Sequence, residues 1–162
     1  MSETIEARLD RLGIELPEAT VPVANYLSYV RCGNQLFVSG QLPVANGKML
    51  YSGQVGTELS VAEGQAAARQ CVLNLVAQVK AACDGDLEQV RRVVKLGGFV
   101  NAAVDFTDHA QVINGASDLI SQLFADKGQH ARAAVGCSSL PLGAAVEVEG
   151  LFELEPESEL QG

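Results

Sequence analysis

"GQHARAAVGCSSLPLGAAVEVEGLFELE", residues 128–155, holds two runs of β-forming residues around a Ser/Pro/Gly break. In the second run Val146, Val148, Phe152 and Leu154 alternate with Glu147, Glu149 and Glu153, the pattern of a strand with one face on a core. In the first run Ala133, Val135 and Cys137 share one face, and Arg132, Ala134 and Gly136 share the other. Joined as an antiparallel hairpin turning near Leu140, partners have numbers that sum to about 280. That register sets Arg132 near Glu147, on the face away from any helices. A guanidinium beside small residues has room to receive a carboxylate or phosphate on its planar fork. A plain cross-strand ion pair is the competing reading.

The rest of the chain builds outward from this stretch. Thr4 to Leu12 has helical spacing at Ile5, Leu9 and Leu12, with Gly13 as a stop. Pro17 and Pro22 mark an extended arm, so residues 1–23 are expected to pack on a single domain spanning 24–162. "YLSYVRCGNQLFVSGQLP" reads as two strands around a tight turn at Cys32-Gly33-Asn34. A short strand is expected near Met49 to Tyr51. Ser60 and Glu63 form a capping box ahead of a long helix striped by Ala68, Cys71, Val72, Leu75, Val76 and Val79. "VRRVVKLGGFVNAAV" reads as a strand. Thr107 or Asp108 then caps a second helix, striped by Val112, Ala116, Leu119, Ile120, Leu123 and Phe124 and stopped at Gly128.

The order is α+β: a mixed, mostly antiparallel sheet with two long helices on one face. Strands such as Leu36–Ser39 and Val93–Val100 are apolar on both faces. The second face is therefore expected to be covered by another subunit, with Arg132 in or beside that interface.

The 162 residues suit one domain, and 48% apolar composition supplies a core. A net charge of −9 without a basic stripe argues against nucleic acid and against an anionic membrane surface. Cys32, Cys71, Cys83 and Cys137 form no CxxC pair, so buried reduced thiols are expected and no metal site is. No apolar run approaches a membrane span, and the opening "MSETIEARLDRLGIEL" is acidic, so a cytoplasmic protein is expected. Alone, Tyr26 reads as a packed strand aromatic, Asn114 as a helix-surface amide, and His130 as a solvent-facing residue before a strand.

"NQLFVSGQLPV", "AARQCVLNLVAQVKAA", "VVKLGGFVNAAVDF" and "HARAAVGCSSLPLGAAVEVEG" resemble, in order, segments of the Rid family, also called YjgF-like or endoribonuclease L-PSP-like. The likeness covers about Ala24 to Leu154 and is closest to a longer-helix branch. It implies a chorismate mutase-like fold and a homotrimer with clefts between subunits. It also implies hydrolysis of enamines and imines such as 2-aminoacrylate to 2-keto acids and ammonia, with no metal or organic cofactor. By position, Arg132 matches the family's carboxylate clamp, and Glu147 matches the acid that holds water. Tyr26 matches the pocket tyrosine, Ser39 and Gly40 the cleft-lining segment, and Asn114 a pocket asparagine. Two positions depart from the deaminase branch: Ala134 stands where a cysteine is usual, and Ser117 where an aromatic often lies. A non-catalytic carboxylate-binding trimer is the alternative, and ribonuclease activity is disfavoured by the charge.

Overall fold

The computed structural model describes residues 2–22 and 24–158. The boundary expected at residue 23 lies outside the described residues. Helix α1, Ile5–Arg11, starts at Thr4, whose side chain accepts the Ala7 amide, and it buries Ile5 and Leu9 in the main core. Strands β1 (Tyr29–Cys32) and β2 (Gln35–Gln41) form the expected hairpin, with Gly33 at φ +63° in the turn. The short strand expected near Met49 is a two-rung hairpin of β3 (Val44–Ala45) and β4 (Lys48–Met49).

Helix α2, Val61–Ala82, opens on the Ser60–Glu63 capping box, in which each side chain satisfies the other residue's amide at 3.1 Å. After β5 (Val90–Asn101) comes α3 (His109–Phe124), begun at Asp108 without a side-chain cap bond. Strands β6 (Ala131–Cys137) and β7 (Val146–Leu154) close the chain. Helix α2 lies over β2 and β7, and α3 over β5 and β6, so one face of the sheet is covered. The core between them holds Leu75, Leu96, Ile113, Leu119, Ile120, Leu123 and Phe152, all essentially solvent-free.

The five-stranded sheet has the order β1-β2-β7-β5-β6, and this corrects the closing hairpin. Strand β5 lies between β6 and β7, antiparallel to β7 and parallel to β6. The cause is the connection before β6. The unit β5–α3–β6 is strand–helix–strand, and such a crossover returns the chain alongside its first strand in the same direction. The segment after β6 cannot fold straight back, because Pro141–Gly143 form a 3-10 turn with Leu142 at φ +57° and Ala144 bridges to Ser52 instead. Strand β7 buries its apolar side and pairs on both edges, which suits the sheet centre.

The faces of β6 are corrected as well. Arg132 is level with Leu96 of β5, a core residue, and Leu96 is level with Gly150. A Cβ on Gly150 would meet Leu75 of α2, so this rung faces the helices. Arg132, Ala134 and Gly136 therefore face α3, while Ala133 and Val135 lie on the open face with Phe99, Glu147 and Glu149.

The open face carries the apolar character expected of it. Val30, Phe37 and Val135 stand 50%, 47% and 46% exposed. A shallow depression of about 450 Å³ crosses it, lined by Val30, Phe37, Ser39, Lys95, Glu149 and Leu151 among others.

Candidate active site

Arg132 reaches from edge strand β6 to helix α3. Its Nη1 donates to Asn114 Oδ1 at 2.8 Å and to Ser117 Oγ at 3.2 Å, and its Nη2 donates to the Ala110 carbonyl at 3.3 Å. All three acceptors are neutral. Among the described residues no carboxylate pairs with Arg132. A guanidinium has five N–H donors, so Nε–H and one Nη2–H remain without a protein partner among the described residues. Nε and Nη2 are neighbours on the guanidinium, and the two together can receive a carboxylate in two parallel bonds. Asn114 and Ser117, one turn apart on α3, hold Nη1.

His130, which the sequence alone places in solvent, joins this group. It does not face solvent: its Nε2 lies 2.8 Å from Ser117 Oγ and its Nδ1 lies 2.6 Å from the Gly128 carbonyl. The signal was present, since His130, Arg132, Ala134 and Gly136 share a parity. It needed α3 above the same face to be read. Ala134 is half-buried and packs on the core. At the far end of β6, a Cβ on Gly136 would come within 2.5 Å of His109 Nε2, so only glycine leaves that ring its place.

Glu147, Ser39 and Gly40 form a second group, on the open face. The pairing of β2 with β7 slips between Val38 and Gln41, so Ser39 and Gly40 bulge beside Glu149. Bulges of this kind re-aim side chains and are frequent beside functional sites. Ser39 Oγ donates to the Leu27 carbonyl at 2.6 Å, and its amide donates to Ser28 at 2.9 Å, which ties in the segment bearing Tyr26. Tyr26 itself is half exposed. A Cβ on Gly40 would overlap the Glu147 carboxylate. Gly40→Ala should therefore swing that carboxylate aside while leaving the fold intact. The check is catalysis measured together with the thermal midpoint, with the first falling and the second nearly unchanged.

Burial raises the Glu147 carboxyl above its ordinary value of 4.5, and the nearby charge of Glu149 raises it further. The folded state thus holds this proton more tightly than the unfolded chain does. Its contribution to stability is present below about pH 4.5 and is lost as pH rises through the raised value. Glu147→Gln should flatten the pH dependence of the denaturation midpoint in that window, which urea titrations at a series of pH values will read.

The two groups are not brought together within one chain. Glu147 is level with Phe99, which is level with Val135, three residues along β6 from Arg132. Strand spacing and rise put the two Cα positions about 14 Å apart, with side chains on opposite faces. The expected Arg132–Glu147 cross-strand pair is therefore absent. Among the described residues there is also no His, Cys, Asp and Glu grouping suited to a metal.

Comparison with known proteins accords with this architecture. A family model described as "YjgF/chorismate mutase-like, putative endoribonuclease" matches residues 6–154. Protein TCP17 of Trypanosoma cruzi is 54% identical over 154 residues, covering 94% of this chain and 96% of its own. RutC family protein y4sK of Sinorhizobium fredii is 32% identical over 143 residues, covering 87% and 96%. The crystal structure of Atu1372 from Agrobacterium tumefaciens, a protein of unknown function, superposes with a TM-score of 0.88 at 49% identity, over 93% of this chain and 92% of that one. The chain belongs to the YjgF/RutC family, with its α+β, chorismate mutase-like fold.

No helix among the described residues is long and apolar enough to cross a membrane.

Proposed function

We propose that the protein hydrolyses small enamine and imine intermediates of the 2-aminoacrylate type to 2-keto acids and ammonia. The observation that carries this reading is Arg132: a cation held by neutral acceptors only, with Nε–H and one Nη2–H left free among the described residues. The substrate carboxylate lies on those donors, which fixes the imine carbon for attack and lowers the entropic cost of reaching the transition state. Protonation at carbon converts the enamine to an iminium, which is already electrophilic. Water then adds, losing a proton to Glu147; the amino group takes a proton and leaves as ammonia while the new hydroxyl gives up its own to form the keto group.

Arg132 and Glu147 lie on opposite faces of one chain, so the site is built between copies. A homotrimer that covers the open face sets Glu147, Ser39, Gly40 and Tyr26 of one copy against Arg132, Asn114 and Ala134 of the next. The exposed Val30, Phe37 and Val135 supply the apolar surface for such packing.

The test generates the imine in situ from serine with a dehydratase and follows 2-keto acid release. Acceleration by the protein at catalytic concentration is the expected result, and release at the uncatalysed rate overturns the reading. A carboxylate-binding module without catalysis is the second reading, favoured by the distance between Arg132 and Glu147 in one chain. It predicts heat of binding for 2-keto acids with no acceleration. A ribonuclease is opposed by the net charge of −9, since a polyanion gains affinity by meeting basic surface.

A further inference from the structure

We infer that Ser117 is an activated nucleophile, and that the site between α3 and β6 carries acyl transfer on small esters or thioesters that bear a carboxylate. The carboxylate preference rests on the reading of Arg132 given above, whereas the nucleophile does not.

The bond directions identify the base. A carbonyl only accepts, so the 2.6 Å contact to the Gly128 oxygen puts the proton on His130 Nδ1. His130 Nε2 then carries the lone pair, and the Ser117 hydroxyl donates to it at 2.8 Å. This is a serine–histidine pair oriented by a third group, with a backbone carbonyl in the orienting position. That carbonyl is held firmly. Gly128 is buried, and a Cβ there would come within 2.8 Å of the Ile120 carbonyl and 3.2 Å of Phe124 Cβ. The orienting group and the nucleophile are thus anchored to the same helix.

Arg132 and Asn114 are the donors available to a developing oxyanion. Arg132 Nη1 is 3.2 Å from its Oγ. Asn114 precedes Ser117 by one turn on the same helical face and spends its Oδ1 on Arg132, at 2.8 Å. Its Nδ2 is free to donate, having no partner among the described residues. Ser117 thus touches both its base and a cationic donor, with the remaining donors of Arg132 beside it for a carboxylate. A mere tie between β6 and α3 would need only the Ser117–His130 bond.

The chemistry balances without a co-reactant other than water. Ser117 Oγ bonds to the carbonyl carbon as its proton passes to His130 Nε2. The alcohol or thiol leaves with that proton, and water then cleaves the acyl-serine by the reverse transfer.

The experiment exposes the full-length protein to a neutral alkyl fluorophosphonate and maps the adduct by peptide mass spectrometry. The P–F bond breaks as an Oγ–P bond forms, and fluoride departs with the proton. A single adduct on Ser117, slowed roughly 100-fold in His130→Gln, is the expected result. No adduct on Ser117, or an equal labelling rate in His130→Gln, overturns the inference. Cleavage of p-nitrophenyl hemisuccinate and p-nitrophenyl butyrate is compared in parallel: faster turnover of the first supports the carboxylate preference, and equal rates overturn it. The probe has neither imine nor carboxylate, so labelling without keto acid release refutes only the deaminase reading. Release without labelling refutes only the nucleophile.

Discussion

Arg132→Ala lowers release of 2-keto acid from a freshly generated imine by roughly 100-fold, the scale of loss when a substrate is no longer held in attack geometry. The loss falls on catalysis rather than on the fold. Arg132 is half-buried at a sheet edge, and its three partners are Asn114, Ser117 and a helical carbonyl that solvent can reach in its absence. No buried acid is orphaned by the change, so the severe penalty for breaking a buried ion pair does not arise. Arg132→Lys is expected to recover little, because an ammonium keeps the charge but not the two parallel donors. Steady-state rates of both variants beside their thermal midpoints check this. Midpoints near wild type with collapsed rates are the expected pattern.

Phe37→Asp is expected to separate the copies and to remove activity with them. Phe37 is 47% exposed and lies level with Leu151 and, one strand further, Lys95 on the open face. Its ring contributes nothing to the core under the helices, so a single chain tolerates the change. An aspartate there carries a charge into the covered surface of the proposed trimer, where the Lys95 amine two strands away offsets only part of the cost of desolvating it. Sedimentation velocity should show a monomer with unchanged circular dichroism. An intact oligomer with full activity would remove Phe37 from the interface.

How far the residues alone could be read follows a physical boundary. Local signals were sufficient for most elements. The Ser60–Glu63 box starts α2 because both of its bonds close within four residues. The turn at Gly33 follows from a backbone conformation that glycine adopts freely. Pairing between strands was legible only where a short turn enforces it, as in β1–β2. Between β6 and β7 eight residues leave the partner open, and the crossover through α3 decides it instead. That single exchange moved Arg132 to the helix-covered face and away from Glu147. It also explains why the pairing of Ser117 with His130 was not legible: each acquires its chemistry from the other, and the segments that carry them meet only in the folded chain. Arg132 and Asn114, by contrast, are both named by family likeness, and the fold sets them 2.8 Å apart.

The central claim is that the free donors of Arg132 receive a carboxylate in a cleft completed by a second copy. A crystal structure of the assembled protein with 2-ketobutyrate tests it most directly. The account predicts the ligand carboxylate in two bonds to Nε and Nη2 of Arg132, with Gly40 and Glu147 of a neighbouring copy beside the keto carbon. A ligand lodged in the open-face depression, or one on Arg132 with no neighbouring copy in reach, would contradict it.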